Sequence, residues 1–226
     1  MTESRGWNWS MVQGDSAESW RIPAVESFWL AERWKAEGKR DILDLGCGLG
    51  RHSILFARYG FSVRGMDISA EAVARTKAWA EDEGLDIRLD VGDMLSLPYG
   101  DSEIDCVYSR NVMNHTDTAG LIQAVGEISR VLRPGGEVYL TLASKSNDGY
   151  TGGRRRVDEN TFLCDAEGPE YDVPHVYVDH GIVRSLFSAF EIVIEQHIEE
   201  YHDDHIRDDG TIPSYFHYHI LAKKPE

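Results

Sequence analysis

Apolar runs of strand length alternate with amphipathic stretches over the first 145 residues of the chain. The strand-length runs lie at 42–45, 61–66, 85–91, 104–108 and 138–143. Helical spacing and capping residues mark the segments between these runs, most clearly 70–83 and 117–132, and a further helical pattern at 23–38 precedes the first run. Strands that alternate with helices predict right-handed crossovers and a parallel sheet.

This alternation stops after residue 145. Segment 146–178 contains several glycines, two prolines and the basic triplet 154–156, and a loop of that length is usually functional or mobile. A helix capped by Asp179 follows, then apolar residues that alternate over 192–198, and finally an apolar strand at 215–223. Because no helical pattern separates the last two strands, they are predicted to be antiparallel neighbours.

Composition narrows the class of protein. At 226 residues with 42% hydrophobic residues, the chain is predicted to form one domain, 1–226, with an insertion. The net charge of −16 argues against nucleic acid as a partner, because its binding draws on a positive surface, although a local basic patch stays open. The three cysteines match no disulfide framework, the N-terminus lacks signal-peptide features, and no apolar run approaches the ~20 residues that span a bilayer. We expect a cytoplasmic protein without a membrane partner, and its oligomeric state stays open.

The first strand ends in a glycine turn formed by Gly46, Gly48 and Gly50. Glycine tolerates positive φ and lets the backbone approach a ligand closely. Asp67 ends the second strand, 17 residues after Gly50, where a carboxylate can accept both hydroxyls of a ribose. The turn therefore predicts a nucleoside site. A dinucleotide fold would place its third glycine at position 51, which is Arg51, and the P-loop pattern is absent.

Segment 44–50, Asp-Leu-Gly-Cys-Gly-Leu-Gly, resembles the cofactor loop of class I S-adenosylmethionine-dependent methyltransferases of the small-molecule, type 11/25-like family. Further landmarks of that family follow in order over 39–144. The resemblance implies an α/β fold with a Rossmann-like seven-stranded, mostly parallel sheet, an antiparallel C-terminal hairpin strand and helices on both faces. It also implies S-adenosylmethionine as the cofactor and a small molecule as the methyl acceptor.

The resemblance further implies which residues surround the cofactor. In the family, an acidic residue at the position of Asp93 binds the exocyclic amine of adenine, and the next backbone amide, that of Met94, meets the ring. For Asp93 the alternative is that it only caps a turn. Asn111 follows the fourth strand, where parallel sheets bind their ligands. The expected cofactor-binding residues are Asp44, Gly46, Cys47, Gly48, Gly50, Asp67, Ile68, Asp93, Met94 and Asn111.

The acceptor site has weaker signals. Segment 1–38 holds five of the six tryptophans and is expected to be a helical lid over the cofactor-binding core, 39–145, although an aromatic helix packed on the sheet is the alternative. Segment 146–178 is expected to shape the acceptor pocket, and 179–226 to form the C-terminal helix and hairpin. The candidate substrate residues are Trp20, Arg21, His115, Arg154, Arg155 and His217.

Methyl transfer is an in-line displacement that mainly requires alignment, so no catalytic residue is assigned. Two other functions stay open: a non-catalytic protein that binds S-adenosylmethionine or S-adenosylhomocysteine, and an NAD-dependent oxidoreductase, which Arg51 and the terminal hairpin disfavour. The run 202–205, with His175, His180 and Cys164, offers ligands for a metal ion. Because the run lies in a loop rather than on a helix face, no metal is expected.

Overall fold

The computed structural model describes residues 2, 4–147, 150, 155–201 and 214–226, and these form an α/β fold. The helices are α1 (Asp15–Ser19), α2 (Val25–Ala36), α3 (Arg51–Arg58), α4 (Ala70–Asp82), α5 (Thr118–Val131) and α6 (His180–Leu186). The strands are β1 (Asp41–Leu45), β2 (Ser62–Asp67), β3 (Ile87–Val91), β4 (Ile104–Ser109), β5 (Leu132–Ala143), β6 (Thr161–Leu163), β7 (Pro174–Val176), β8 (Glu191–Tyr201) and β9 (Ser214–Lys223).

Seven strands form one sheet in the order β3-β2-β1-β4-β5-β9-β8. Strands β1 to β5 are parallel, whereas β9 runs antiparallel to both β5 and β8. The predicted fold class is confirmed, including the reversed C-terminal hairpin. The chain changes direction across the sheet between β1 and β4, and in open α/β sheets ligands bind beyond the carboxyl ends of the strands at such a switch point.

Both faces of the sheet are covered, because successive residues of a strand point to opposite sides. On one face, Ile42 of β1 packs in a cluster with Trp34 of α2 and Phe56 of α3. On the other face, Leu43 belongs to a larger cluster that includes residues of α5 and α6, such as Ile128. The near-continuous apolar sequence of β1 is therefore explained by burial on both faces.

Helix α2 is a packing element of the sheet. Its Trp34 is fully buried and donates from Nε1 to Glu137 Oε2 at 2.8 Å. Arg33 adds two bonds to the same carboxylate, at 2.6 and 2.8 Å. Helix α2 is thus an aromatic helix packed on the sheet, which was the alternative to a lid. The residues that cover the carboxyl edge of the parallel strands precede this helix. The proposed division of the chain at residue 38 stays a prediction.

The segment after β5 forms a small antiparallel hairpin, β6–β7, where the sequence predicts only a loop. Backbone bonds attach it to the main sheet. Val176 N donates to Asn114 O at 2.9 Å, and Val178 N donates to Ala143 O at 2.8 Å. The hairpin therefore stands at the carboxyl edge of the parallel strands. Within the described residues, no helix is both long and apolar enough to cross a membrane.

Candidate cofactor and acceptor site

A crevice of about 650 Å³, open to solvent, lies at the carboxyl ends of β1, β2 and β4. The sheet edge contributes Leu45, Gly46, Met66, Asp67, Ile68, Gly92, Met94, Arg110, Asn111, Val112 and His115. The N-terminal segment covers it with Ser4, Arg5, Gly6, Trp7, Trp9 and Trp20.

The glycine turn needs glycine for two physical reasons. Gly46 has φ +74°, and a Cβ at this position would lie 2.3 Å from Cγ2 of Val112. Its N–H and that of Cys47 both donate to Met66 O, at 2.7 and 3.0 Å, which ties the turn to the end of β2. Gly48 has φ +54°, and the ring of Trp9 lies against it, so that a Cβ would be only 2.9 Å from Cζ2. The turn is therefore held close to both the crevice and its cover.

Asp67 connects the turn to the second strand. Its Oδ2 accepts from Gly48 N at 2.9 Å, and its Oδ1 accepts from Ser69 N at 2.9 Å. Burial raises the pKa of Asp67, and the two backbone donors oppose that shift. An ionised carboxylate has about four acceptor sites, so each oxygen keeps capacity for a further donor from the crevice, such as a ribose hydroxyl.

Asn111 lies at the end of β4 with φ +58°, a conformation that asparagine tolerates better than most residues. Its backbone N–H donates to Thr141 Oγ1 at 2.8 Å, and the same hydroxyl donates to Asn111 Oδ1 at 3.0 Å. This exchange with the neighbouring strand β5 fixes the side chain at the wall of the crevice.

Comparisons with known proteins decide the family. Residues 42–136 match the family described as Methyltransferase domain. A sterol 24-C-methyltransferase of Gibberella zeae is 29% identical over 93% of this chain and 54% of its own length. The crystal structure of an S-adenosylmethionine-dependent methyltransferase from Methanosarcina mazei covers 83% of this chain and 93% of that one, at 25% identity and a TM-score of 0.65. The chain belongs to the class I S-adenosylmethionine-dependent methyltransferases.

Another relative of this methyltransferase is a geranyl diphosphate 2-C-methyltransferase of Saccharopolyspora erythraea, 31% identical over 70% of this chain and 59% of its own length. The chain spans about half the length of the first curated relatives it matches. The family's cofactor is S-adenosylmethionine. The alternative of an NAD-dependent oxidoreductase is not favoured, and the reversed strand β9 is the feature that an ordinary dinucleotide fold lacks.

Two observations fit an adenosyl cofactor in the methyltransferase crevice. Gly46 and Asp67 both line the crevice at the switch point of the sheet, and Gly48 N donates to Asp67 Oδ2 at 2.9 Å, so the glycine turn and the carboxylate border the same space. In the cover, Trp7 Nε1 is buried and has no hydrogen-bond partner among the described residues. A buried N–H without a partner is costly, and a bound polar molecule would supply an acceptor.

The expected cofactor residues divide into two groups. Gly46, Asp67, Ile68, Met94 and Asn111 line the crevice. The remaining five, which support the lining from behind or beside it, are Asp44, Cys47, Gly48, Gly50 and Asp93. Their direct contact with the cofactor stays a prediction.

Asp44 and Asp93 show what the supporting residues do. Asp44 is buried under the turn and accepts from Ser53 Oγ at 2.6 Å, which anchors α3. Burial raises the pKa of Asp44 to about 7, although the Ser53 hydrogen bond opposes the shift. Asp93 accepts through Oδ1 from Leu95 N at 2.9 Å and from Ser4 Oγ at 2.7 Å. It therefore caps its own turn and also holds the cover, while its role toward adenine stays a prediction.

The cover of the methyltransferase crevice is a cluster of three indoles. Trp7 packs 5.3 Å from Trp9 and 4.9 Å from Trp20, measured between ring centroids, and Trp9 lies 5.4 Å from Trp20. Arg51 places its guanidinium 4.7 Å from the Trp20 ring centroid. Of the sequence-predicted lid residues, Trp20 thus lines the crevice. Arg21 instead lies over the ring of Trp79.

The other predicted substrate residues are dispersed. His115 lines the crevice, and burial lowers its pKa against the effect of a nearby carboxylate, Glu170. Arg155 pairs with Asp172 on the surface. His217 lies on β9 with its Nδ1 3.0 Å from Glu200 Oε2. Arg154 and the run 202–205 lie outside the described residues.

Sequence reasoning missed Arg110 as a component of the crevice wall. Its Nε donates to Glu26 Oε1 at 2.7 Å, and its Nη2 donates to Glu200 Oε1 at 2.8 Å. These partners are 84 and 90 residues away in sequence, so no local sequence pattern predicts that the three side chains meet. Its position directly after β4 was the only available signal.

Proposed function

We propose that the chain transfers a methyl group from S-adenosylmethionine to a small-molecule acceptor. The observation that carries this proposal is Asp67, whose carboxylate lies between the glycine turn and the crevice with both oxygens positioned by backbone donors. Family membership supports the same cofactor. The names of the relatives support a small acceptor, since they methylate sterols and geranyl diphosphate.

The residues of the chain have three tasks in this reaction. Asp67 and the glycine turn hold the adenosyl part, Asn111 forms the wall at the end of β4, and the indoles exclude water from the reacting atoms. When bound, the cofactor would supply an electrophilic methyl group on a sulfonium, with a neutral thioether as the leaving group that would take the electron pair of the broken sulfur–carbon bond. Alignment of this kind is worth about 7 to 11 kcal/mol in favourable cases.

We also propose a division of the chain by task. The core, 39–145, would bind the cofactor, and 146–178 would shape the acceptor end. The attachment of the hairpin to the segment that follows β4, through Val176 N and Asn114 O at 2.9 Å, supports this division. The three cysteines are buried and form no disulfide bond within the described residues, which is compatible with a reducing compartment.

Methyl transfer is tested with methyl-labelled S-adenosylmethionine and a panel of small acceptors that offer hydroxyl, amine, thiol or activated carbon nucleophiles. We expect formation of S-adenosylhomocysteine that depends on the acceptor and is lost in Asp67→Ala. A chain that binds S-adenosylhomocysteine tightly but transfers no methyl group to any class would instead be the non-catalytic binding protein. A chain that binds NAD but no adenosylated thioether would overturn both assignments.

A further inference from the structure

Three side chains from distant parts of the sequence converge beside the crevice. His115 follows β4, Glu170 lies in the turn between β6 and β7, and His175 is in β7. One ligand atom from each lies within 4.8 Å of those of the other two. We propose that His115, Glu170 and His175 form a binding site for a divalent transition-metal ion.

The separations between the ligand atoms fit an ion placed among them. Glu170 Oε1 is 3.7 Å from His115 Nε2 and 3.6 Å from His175 Nε2. Nitrogen and oxygen ligands that lie about 2.1 Å from a tetrahedral ion are about 3.4 Å from each other. The two observed separations are within a few tenths of an ångström of that value.

Direct hydrogen bonding explains these separations less well. A charge-assisted bond between imidazole and carboxylate is about 2.7–2.9 Å long. Elsewhere in this chain, His180 Nδ1 approaches Glu195 Oε1 to 2.6 Å. The Nε2 atoms of His115 and His175 are nearly 1 Å farther from Glu170 Oε1 than such a bond requires, although all three side chains converge on the same space.

The second nitrogen of His175 also has the arrangement of a metal ligand. Its Nδ1 lies 3.2 Å from Val173 O, and since a carbonyl only accepts, Nδ1 carries the proton. In the neutral ring, Nε2 then presents its lone pair toward Glu170. Metal-bound histidines commonly donate their other N–H to a backbone carbonyl, which fixes the tautomer and the ring orientation.

The backbone holds the three ligands together without an ion. Val176, next to His175, donates to Asn114 O at 2.9 Å, next to His115. Asn8 N donates to Pro169 O at 2.8 Å, directly before Glu170. Both imidazoles are buried, whereas 34% of the Glu170 side chain is exposed, so an ion could enter from the side of the carboxylate.

The donor set indicates the class of ion. Two imidazole nitrogens and one carboxylate suit zinc, ferrous iron and cobalt, whereas magnesium prefers oxygen ligands. Three protein ligands leave a coordination position open. Because His115 lines the crevice, that position would face the acceptor end; if the proposed methyl transfer is correct, an acceptor oxygen bound there would lose its proton to solvent more readily.

The site is tested on the full chain after treatment with a chelator, by calorimetric titration with Zn²⁺, Co²⁺ and Mg²⁺ in the absence of any acceptor. We expect one equivalent of Zn²⁺ or Co²⁺ bound with micromolar or tighter affinity, no such binding of Mg²⁺, and a visible absorption band for Co²⁺. Glu170→Gln and His175→Ala should each weaken Zn²⁺ binding at least tenfold and remove the Co²⁺ band.

The control variant is His202→Ala/His205→Ala, which removes the histidines of the other candidate run and should keep full Zn²⁺ affinity. The thermal unfolding midpoint, measured without any ligand, shows that Glu170→Gln and His175→Ala remain folded. Absence of stoichiometric binding, or binding that survives in both of these folded variants, would overturn the proposal. Metal binding is measured without methyl transfer, so failure of one assignment is distinguishable from failure of the other.

Discussion

Replacement of Asp67 by alanine is the most direct test of the cofactor site. The change removes a carboxylate that is 8% exposed and accepts one backbone bond from Gly48 and one from Ser69. A hydrogen bond to a charged group contributes about 1.5–3 kcal/mol, and each 1.4 kcal/mol is about a tenfold change in affinity. Loss of even one ribose hydroxyl contact should therefore weaken binding of S-adenosylhomocysteine by more than about tenfold.

The assay must separate loss of the ribose contact from loss of local structure. Calorimetry is done with S-adenosylhomocysteine and with its 2′-deoxy analogue, on the wild type and on Asp67→Ala. The wild type should prefer the ribose form, and Asp67→Ala should bind both forms weakly and without preference. The control is Asp82→Ala, which removes the same charge from an exposed position at the end of α4 and should change neither affinity.

The preference between the two ligands decides the interpretation. If Asp67→Ala kept the wild-type preference for the ribose form, the carboxylate would not be the group that binds the 2′-hydroxyl. This conclusion would hold even if the variant bound both ligands more weakly. Unchanged affinity for S-adenosylhomocysteine would refute the assignment more simply. A disordered turn at Gly48 would lower both affinities but would also lower the thermal unfolding midpoint, which is measured on the same sample.

Two further predictions concern stability and are measured by urea unfolding. Glu137→Gln should lose about 1.5–3 kcal/mol, because it removes the charge of a carboxylate that is 3% exposed and accepts from Arg33 and Trp34. Glu83→Gln, whose carboxylate also accepts from an arginine and a tryptophan but at the surface, should lose less than about 1 kcal/mol, and equal losses would contradict this expectation. Burial raises the pKa of Asp44 from 3.8 to about 7, so the unfolded chain gives up this proton at a lower pH than the folded chain does. As the pH rises from about 4 to 8, the wild type should therefore lose up to about 4 kcal/mol of unfolding free energy relative to Asp44→Asn. A difference in unfolding free energy that stays constant with pH would refute the raised pKa.

That Gly46, Asp67 and Asn111 line one crevice could be predicted because their signals are local. Gly46 directly follows an apolar strand, Asp67 ends the next one and Asn111 comes shortly after a third, so the strand ends alone bring them to one edge of the sheet. The same rule did not distinguish the residues that line the crevice from those that support it from behind. Asp44 is on β1 itself, where side-chain alternation and burial direct it toward Ser53 below the turn rather than into the crevice.

The remaining parts of the site depend on pairings that no periodicity encodes. Arg110 meets Glu26 from α2 and Glu200 from β8, and these meet only when the whole sheet has formed. Glu170 and His175 come from a segment read as a loop, and the hairpin that positions them becomes visible only through its backbone bonds to Asn114 and Asn8. Long-range contacts of this kind are fixed by tertiary packing, which overrides local propensity.

The boundary of the family match has a physical meaning in this structure. Residues 42–136 contain Gly46, Asp67 and Asn111, the crevice residues to which the proposed function assigns the adenosyl cofactor. The indoles of the cover precede that range, and Glu170 and His175 follow it. Under the proposed division of the chain, the acceptor would meet the cover and the hairpin rather than the glycine turn, so residues outside the shared region would determine its identity. His115 lies inside the shared region and beside Glu170 and His175, so it is the residue at which the two parts of the chain meet.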